Sequence, residues 1–263
     1  RFLEASQFQF RNQKFIFLWW KCASWWGYSP LFAFRQNCHG FNTLKPEMIP
    51  IKLNRENVSI AIIWLFHLSG IMGILYGNSE WFISATPLNL SINFILLLIN
   101  CNGHKWFFPL VILGFFTGMI TEIMGVQWGW IFGDYQYGNA LGYKVLGVPL
   151  LIGVNWALLT TITGAIAQQF YQNIFMRIIV GVGLMIFLDL LIEPIAPVLD
   201  FWAFDGGEAP LQNYIGWVVV ALFLQSTFHY LKVSVEGWFP HQLYLLQIIF
   251  FAVLLIKQTT IGI

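Results

Sequence analysis

The stretch Ile174-Phe-Met-Arg177-Ile-Ile-Val-Gly-Val-Gly-Leu-Met-Ile-Phe-Leu-Asp189-Leu-Leu-Ile-Glu193-Pro194-Ile-Ala-Pro197 decides the fold class. A bilayer core needs about 20 mostly apolar residues to be crossed as a helix, and this run is long enough. It nevertheless carries two carboxylates near its far end. An ionisable group at mid-span costs roughly 2.5–3.5 kcal/mol on insertion scales, so such acids point to a protein interior rather than to lipid. The composition extends the reading to the whole chain: 58% hydrophobic residues, 10% charged residues and a mean hydropathy of +0.68 lie outside the norms of soluble domains. Apolar runs near 58–76, 82–100, 106–125, 145–168, 174–197, 214–231 and 241–257 predict an all-α polytopic membrane bundle of about seven transmembrane helices. The second run holds Pro87, Asn89, Ser91 and Asn93 and reads as a kinked span or the wall of a polar cavity.

The acid-bearing run is one of two similar passages. In the first, Glu122 and Gly125 lead into Trp128-Gly-Trp130-Ile-Phe-Gly133-Asp134-Tyr135-Gln-Tyr137, then Gly147-Val-Pro149-Leu150 and, after five residues, Trp156. In the second, Asp189 and Glu193-Pro194 lead into Asp200-Phe-Trp202, Asp205 and Glu208, then Pro210-Leu211 and, after five residues, Trp217. Asp189 and Glu193 stand four apart and so share one helix face. Pro194 loosens the helix that follows them. Acids that lipid rejects thus sit beside rings able to face a positive charge, a pairing suited to acid chemistry on an apolar molecule. The structural alternative is that the acids tie neighbouring helices together and the rings form an interfacial belt.

Thirteen basic residues against 12 acidic ones, with no basic run, argue against a nucleic-acid partner. Lys52, Arg55, Lys105, Arg177 and Lys232 fall on the amino-terminal side of the membrane, and Lys144 and Lys257 on the other. By the positive-inside rule the body starts in the cytoplasm, and the loops 126–144 and 198–213 share the outer face. Residues 1–47 hold 13 aromatics and six of the basic residues before Met48, whereas the body from 48 to 263 carries seven Lys/Arg against ten Asp/Glu. The leader therefore reads as an upstream stretch outside the native protein, as an interfacial aromatic-basic segment, or as an extra span.

Cys22, Cys38 and Cys101 have no metal-type spacing, and the histidines lack an i, i+4 pair, so no metal site is expected. No phosphate loop, dinucleotide glycine fingerprint or nucleophile elbow is present in the sequence. The last span has only Lys257, at its extreme end, which leaves no residue for a mid-membrane retinal Schiff base.

These two passages resemble the signatures of the carotenoid biosynthesis membrane protein family, which includes carotenoid 1,2-hydratases and bisanhydrobacterioruberin hydratase. The resemblance rests on Glu122, Gly125, Phe132 to Tyr137, Leu141-Gly142, Gly147-Val-Pro149 and Trp156, and on Asp189, Glu193-Pro194, Trp202 and Asn213 with Gly216-Trp217. It covers about residues 58–257 and departs at Glu208-Ala-Pro210-Leu211-Gln-Asn213, where a Tyr-Xaa-Gly-Val-Pro-Leu-Xaa-Asn pattern is expected. What it implies is cofactor-independent hydration of the terminal isopropylidene double bond of an acyclic carotenoid. The site would comprise Glu193 or Asp189 as proton donor and Glu122 or Asp134 as the water-orienting partner. Trp128, Tyr135, Tyr137, Trp156, Trp202, Asn213 and Trp217 would form the substrate wall. The setting would be a bacterial or archaeal cytoplasmic membrane, with a carotenoid in the bilayer as substrate and other enzymes of the same pathway as partners. A non-catalytic carotenoid or lipid carrier and a carotenoid end-group cyclase are the alternatives.

Overall fold

A computed structural model describes residues 54–101 and 103–261; the 1–47 leader lies outside the described residues. Eight helices follow in order: α1 Arg55–Tyr76, α2 Ser79–Ser84, α3 Thr86–Asn100, α4 Phe107–Trp128, α5 Leu150–Phe170, α6 Ile174–Ile192, α7 Leu211–Tyr230 and α8 Phe239–Ile261. Six stretches are long and apolar enough to cross a membrane, with α2 and α3 together making one of them. The seventh expected span is present as α7, but Gln212, Asn213, Gln225 and His229 keep it below that apolarity. The expected kink in the second span falls at Ala85, just before Thr86-Pro87, where α2 stops and α3 begins.

The most enclosed of the six apolar spans is α5, which packs against α4, α6, α7 and α8. Its sequence explains the position. Small residues let neighbours come close: a Cβ on Gly114 of α4 would stand 3.0 Å from Cα of Ala157. Thr160, Thr161 and Thr163 are buried, and each hydroxyl donates to the carbonyl four residues back at 2.7–2.9 Å. The hydroxyls are thereby satisfied without water.

Both signature loops lie at the same end of the bundle and are stitched together. Strand β1 (Tyr135–Tyr137) pairs antiparallel with β4 (Trp202–Phe204), setting Tyr135 opposite Phe204 and Tyr137 opposite Trp202. Between them, β2 (Lys144–Val145) and β3 (Val148–Pro149) form a tight hairpin. Asp200 (φ 53°) accepts from the backbone N–H of Asn139 at 2.8 Å. Helices α5 and α7 each begin directly after a proline in extended conformation, Pro149 and Pro210. That common start aims Trp156 and Trp217, seven residues further on, at the same place.

Candidate active site

Helix α4 ends at Gly129, which takes the left-handed conformation (φ 65°) and turns the chain into the first loop. About one turn earlier, Gly125 clears room for the loop to fold back. A Cβ there would stand 2.7 Å from the Tyr135 hydroxyl. Tyr135 therefore reaches Glu122, which is 5% exposed and surrounded by donors. The hydroxyls of Tyr135 and Tyr137 both donate to Oε2, the latter at 2.7 Å, and the Trp156 indole N–H donates to Oε1 at 2.9 Å. Burial, and after it the charge of Glu122, pushes both phenols well above their usual range, so they stay protonated and donate.

Helix α6 ends at Ile192, and Glu193 caps it at the start of the turn that Pro194 enforces. Its carboxylate also faces donors: the Asn213 amide to Oε1 at 3.1 Å and the Trp202 indole N–H to Oε2 at 3.2 Å. Asp189, one turn earlier, differs. It is 1% exposed, and its Oδ2 has no hydrogen-bond partner among the described residues.

All three acids line one cavity of about 30 Å³ with Tyr135, Tyr137, Trp156, Trp202 and Trp217. A space of ~10–15 Å³ holds one water, so this chamber has room for a water or two beside the acids. Trp156 and Trp217 stack with ring centroids 4.1 Å apart, and Tyr137 meets Trp202 edge-on at 6.2 Å. Buried and unpaired in an apolar setting, a carboxylate is costly as an ion. Two acceptor carboxylates held by N–H and O–H donors beside a third acid that keeps one oxygen unbonded make a set that can give, hold and recover a proton.

Of the residues singled out in the sequence, Glu122, Asp189, Glu193, Tyr135, Tyr137, Trp156, Trp202 and Trp217 come together here, and Asn213 donates to Glu193. Asp134 and Trp128 do not join them. Asp134 is exposed, with its carboxylate toward Gly129, and Trp128 is 60% exposed with its ring against Trp130. Asn155 and Phe204 line the chamber without having been singled out. Asn155 carried a signal, an amide immediately before Trp156 in an apolar helix; Phe204 is one of 26 phenylalanines and carried none. Among the described residues, no group of three or more His, Cys, Asp or Glu is arranged to hold a metal.

Comparison with known proteins bears on this geometry. Bisanhydrobacterioruberin hydratase of Haloarcula japonica is 26% identical over 111 residues, which cover 37% of this chain and 36% of that protein. The similarity thus spans about a third of the length of that relative. No solved structure matches the chain. The family described as carotenoid biosynthesis protein matches residues 83–262, which include every helix from α3 onward and all three acids. The chain belongs to the carotenoid biosynthesis protein family.

Proposed function

We propose that the protein is a carotenoid hydratase, adding water to the terminal isopropylidene double bond of an acyclic end group by acid catalysis. The observation that carries this reading is the unequal bonding of the three acids. Glu122 and Glu193 accept from five donors between them, whereas Asp189 keeps an unbonded oxygen in the same chamber.

In the proposed mechanism Asp189 is the neutral acid. Its O–H bond breaks as a C–H bond forms on the less substituted alkene carbon, leaving a tertiary cation. The stacked Trp156 and Trp217 and the nearby Trp202 present ring faces to it, a contact worth about 2 kcal/mol or more when desolvated. A water held against the Glu122 or Glu193 carboxylate bonds to the cation. Its surplus proton passes to Glu193, which shares the helix face and returns it to Asp189. One water is consumed, a tertiary alcohol is formed, and the enzyme is unchanged.

Room for a water or two beside the acids supports hydration over cyclisation, since a cyclase has to keep water from the same cation. The distribution of basic residues supports signature loops on the outer face of the cytoplasmic membrane. Pigment analysis of a lycopene-accumulating host expressing the chain tests the reading. A product heavier by one water is expected; a cyclic isomer would assign a cyclase, and unchanged pigment a carrier.

A further inference from the structure

A second cavity, of about 90 Å³, adjoins the carboxylate chamber and shares Ile152, Asn155 and Trp202 with it. Apart from the shared Asn155, its polar wall comes from α1, α3 and α8, helices that contribute nothing to the carboxylate chamber. There His67, Asn93 and Gln247 are 3%, 2% and 6% exposed. Each presents an acceptor. The Asn93 amide donates to Asn89 Oδ1 at 3.3 Å, leaving Asn93 Oδ1 unpaired, and Gln247 Oε1 is likewise unpaired among the described residues. His67 places Nδ1 2.8 Å from the Ile63 carbonyl, so the proton sits on Nδ1 and Nε2 is left as a third acceptor.

Buried polar atoms without partners are uncommon in folded proteins and call for an explanation. A hydrocarbon chain filling this cavity would leave the amide oxygens unpaired. Water, with two O–H donors per molecule, satisfies them, and the cavity is well above the ~10–15 Å³ that one water needs. Asn155 faces both cavities and offers a donor and an acceptor on the way between them.

We infer that this amide-lined cavity is a water store that feeds the carboxylate chamber past Asn155. The inference rests on the hydratase reading, which requires one water per turnover inside an apolar bundle whose reaction chamber holds little more than that. Water moves through intact; no bond changes until it reaches the cation.

Two measurements on the full chain test it. The first is an experimental structure in lipid nanodiscs at a resolution that shows water. Ordered water within hydrogen-bond reach of Asn93 Oδ1 and Gln247 Oε1 is expected; acyl-chain density or a dry cavity there would overturn the inference whatever the activity. The second is the double variant Asn93→Leu, Gln247→Leu, whose thermal stability is expected to be no lower than that of the parent. It should lose about tenfold in kcat with the KM for carotenoid unchanged. An unchanged kcat, or a raised KM at full kcat, would assign the cavity to the substrate chain or to packing and overturn the inference. A parent chain that makes no hydrated product would instead refute the hydratase reading, and the water density alone would then decide what the cavity holds.

Discussion

Trp156 and Trp217 stack face to face, centroids 4.1 Å apart and planes 24° from parallel, and each is the tryptophan that follows a Pro-Leu helix start after five residues. The repeated signature is therefore a spatial pair. It brings the ends of two helix-loop-helix passages together over the acids that each contributes. A stacked aromatic pair is worth about 0.5–1.5 kcal/mol beyond its buried area. Trp217→Leu is expected to lower both the melting temperature and kcat, the latter by about tenfold, because 1.36 kcal/mol of transition-state stabilisation corresponds to that factor. Trp156→Phe should keep much of the stack but take one donor from Glu122. Kinetics and thermal melts of both variants in detergent check this.

The tyrosine pair makes a sharper stability test. Tyr135→Phe and Tyr137→Phe each remove one donor from a buried carboxylate. Each is expected to cost about 1–3 kcal/mol in stability, and the double variant more than the sum if the remaining donor cannot hold the charge. Chemical or thermal unfolding in a lipid-like detergent measures it. Melts that match the parent for both single variants would show that Glu122 does not depend on its donors.

Gly125→Ala should act through Tyr135, since the new Cβ would meet the hydroxyl at 2.7 Å and ring carbon Cε1 at 2.9 Å. The expected result is a loss of stability that shrinks in a Tyr135→Ala background. A double-mutant cycle reads that coupling directly.

Sidedness is open to a simple chemical test. Asn139 is exposed on the first stitched loop and Gln212 in the first turn of α7, just after the second. A cysteine at either position, in a background lacking the native thiols, is expected to react with an impermeant reagent in intact cells. Labelling only after lysis would place the loops in the cytoplasm.

The spans and the acids were legible because the bilayer imposes a coarse rule, apolar for about 20 residues. Asp189, Glu193 and Glu122 break that rule conspicuously. The pairing of the two passages was legible in Pro149-Leu150 and Pro210-Leu211, though not that Trp156 and Trp217 would touch. Loop direction was not legible. Asp134 and Tyr135 are adjacent in sequence, yet the chain bends at Asp134, which stays at the surface, and enters β1 with Tyr135 turned onto Glu122. The amides of Asn93 and Gln247 were equally mute, because a polar residue in a span often satisfies itself on its own helix backbone, as Ser91 and Asn100 do here. Only the packing of α3 against α8 shows that these two do not.

Glu193→Gln separates the proton acceptor from the donor. Trp202 and Asn213 both donate to this carboxylate, so the amide sets its NH₂ against one of them. A modest loss of stability is expected with a fall in kcat. An activity equal to that of the parent would remove Glu193 from the proton circuit.

The central claim is that Asp189 delivers the proton, and Asp189→Asn tests it most directly. The amide keeps the shape, and Oδ2 gives up no hydrogen bond in the exchange. The protein is expected to remain abundant, to melt near the parent temperature and to bind carotenoid, while hydration falls by a factor of about 10²–10⁴. A stable Asp189→Asn protein that forms the hydrated carotenoid at the parent rate would contradict the account.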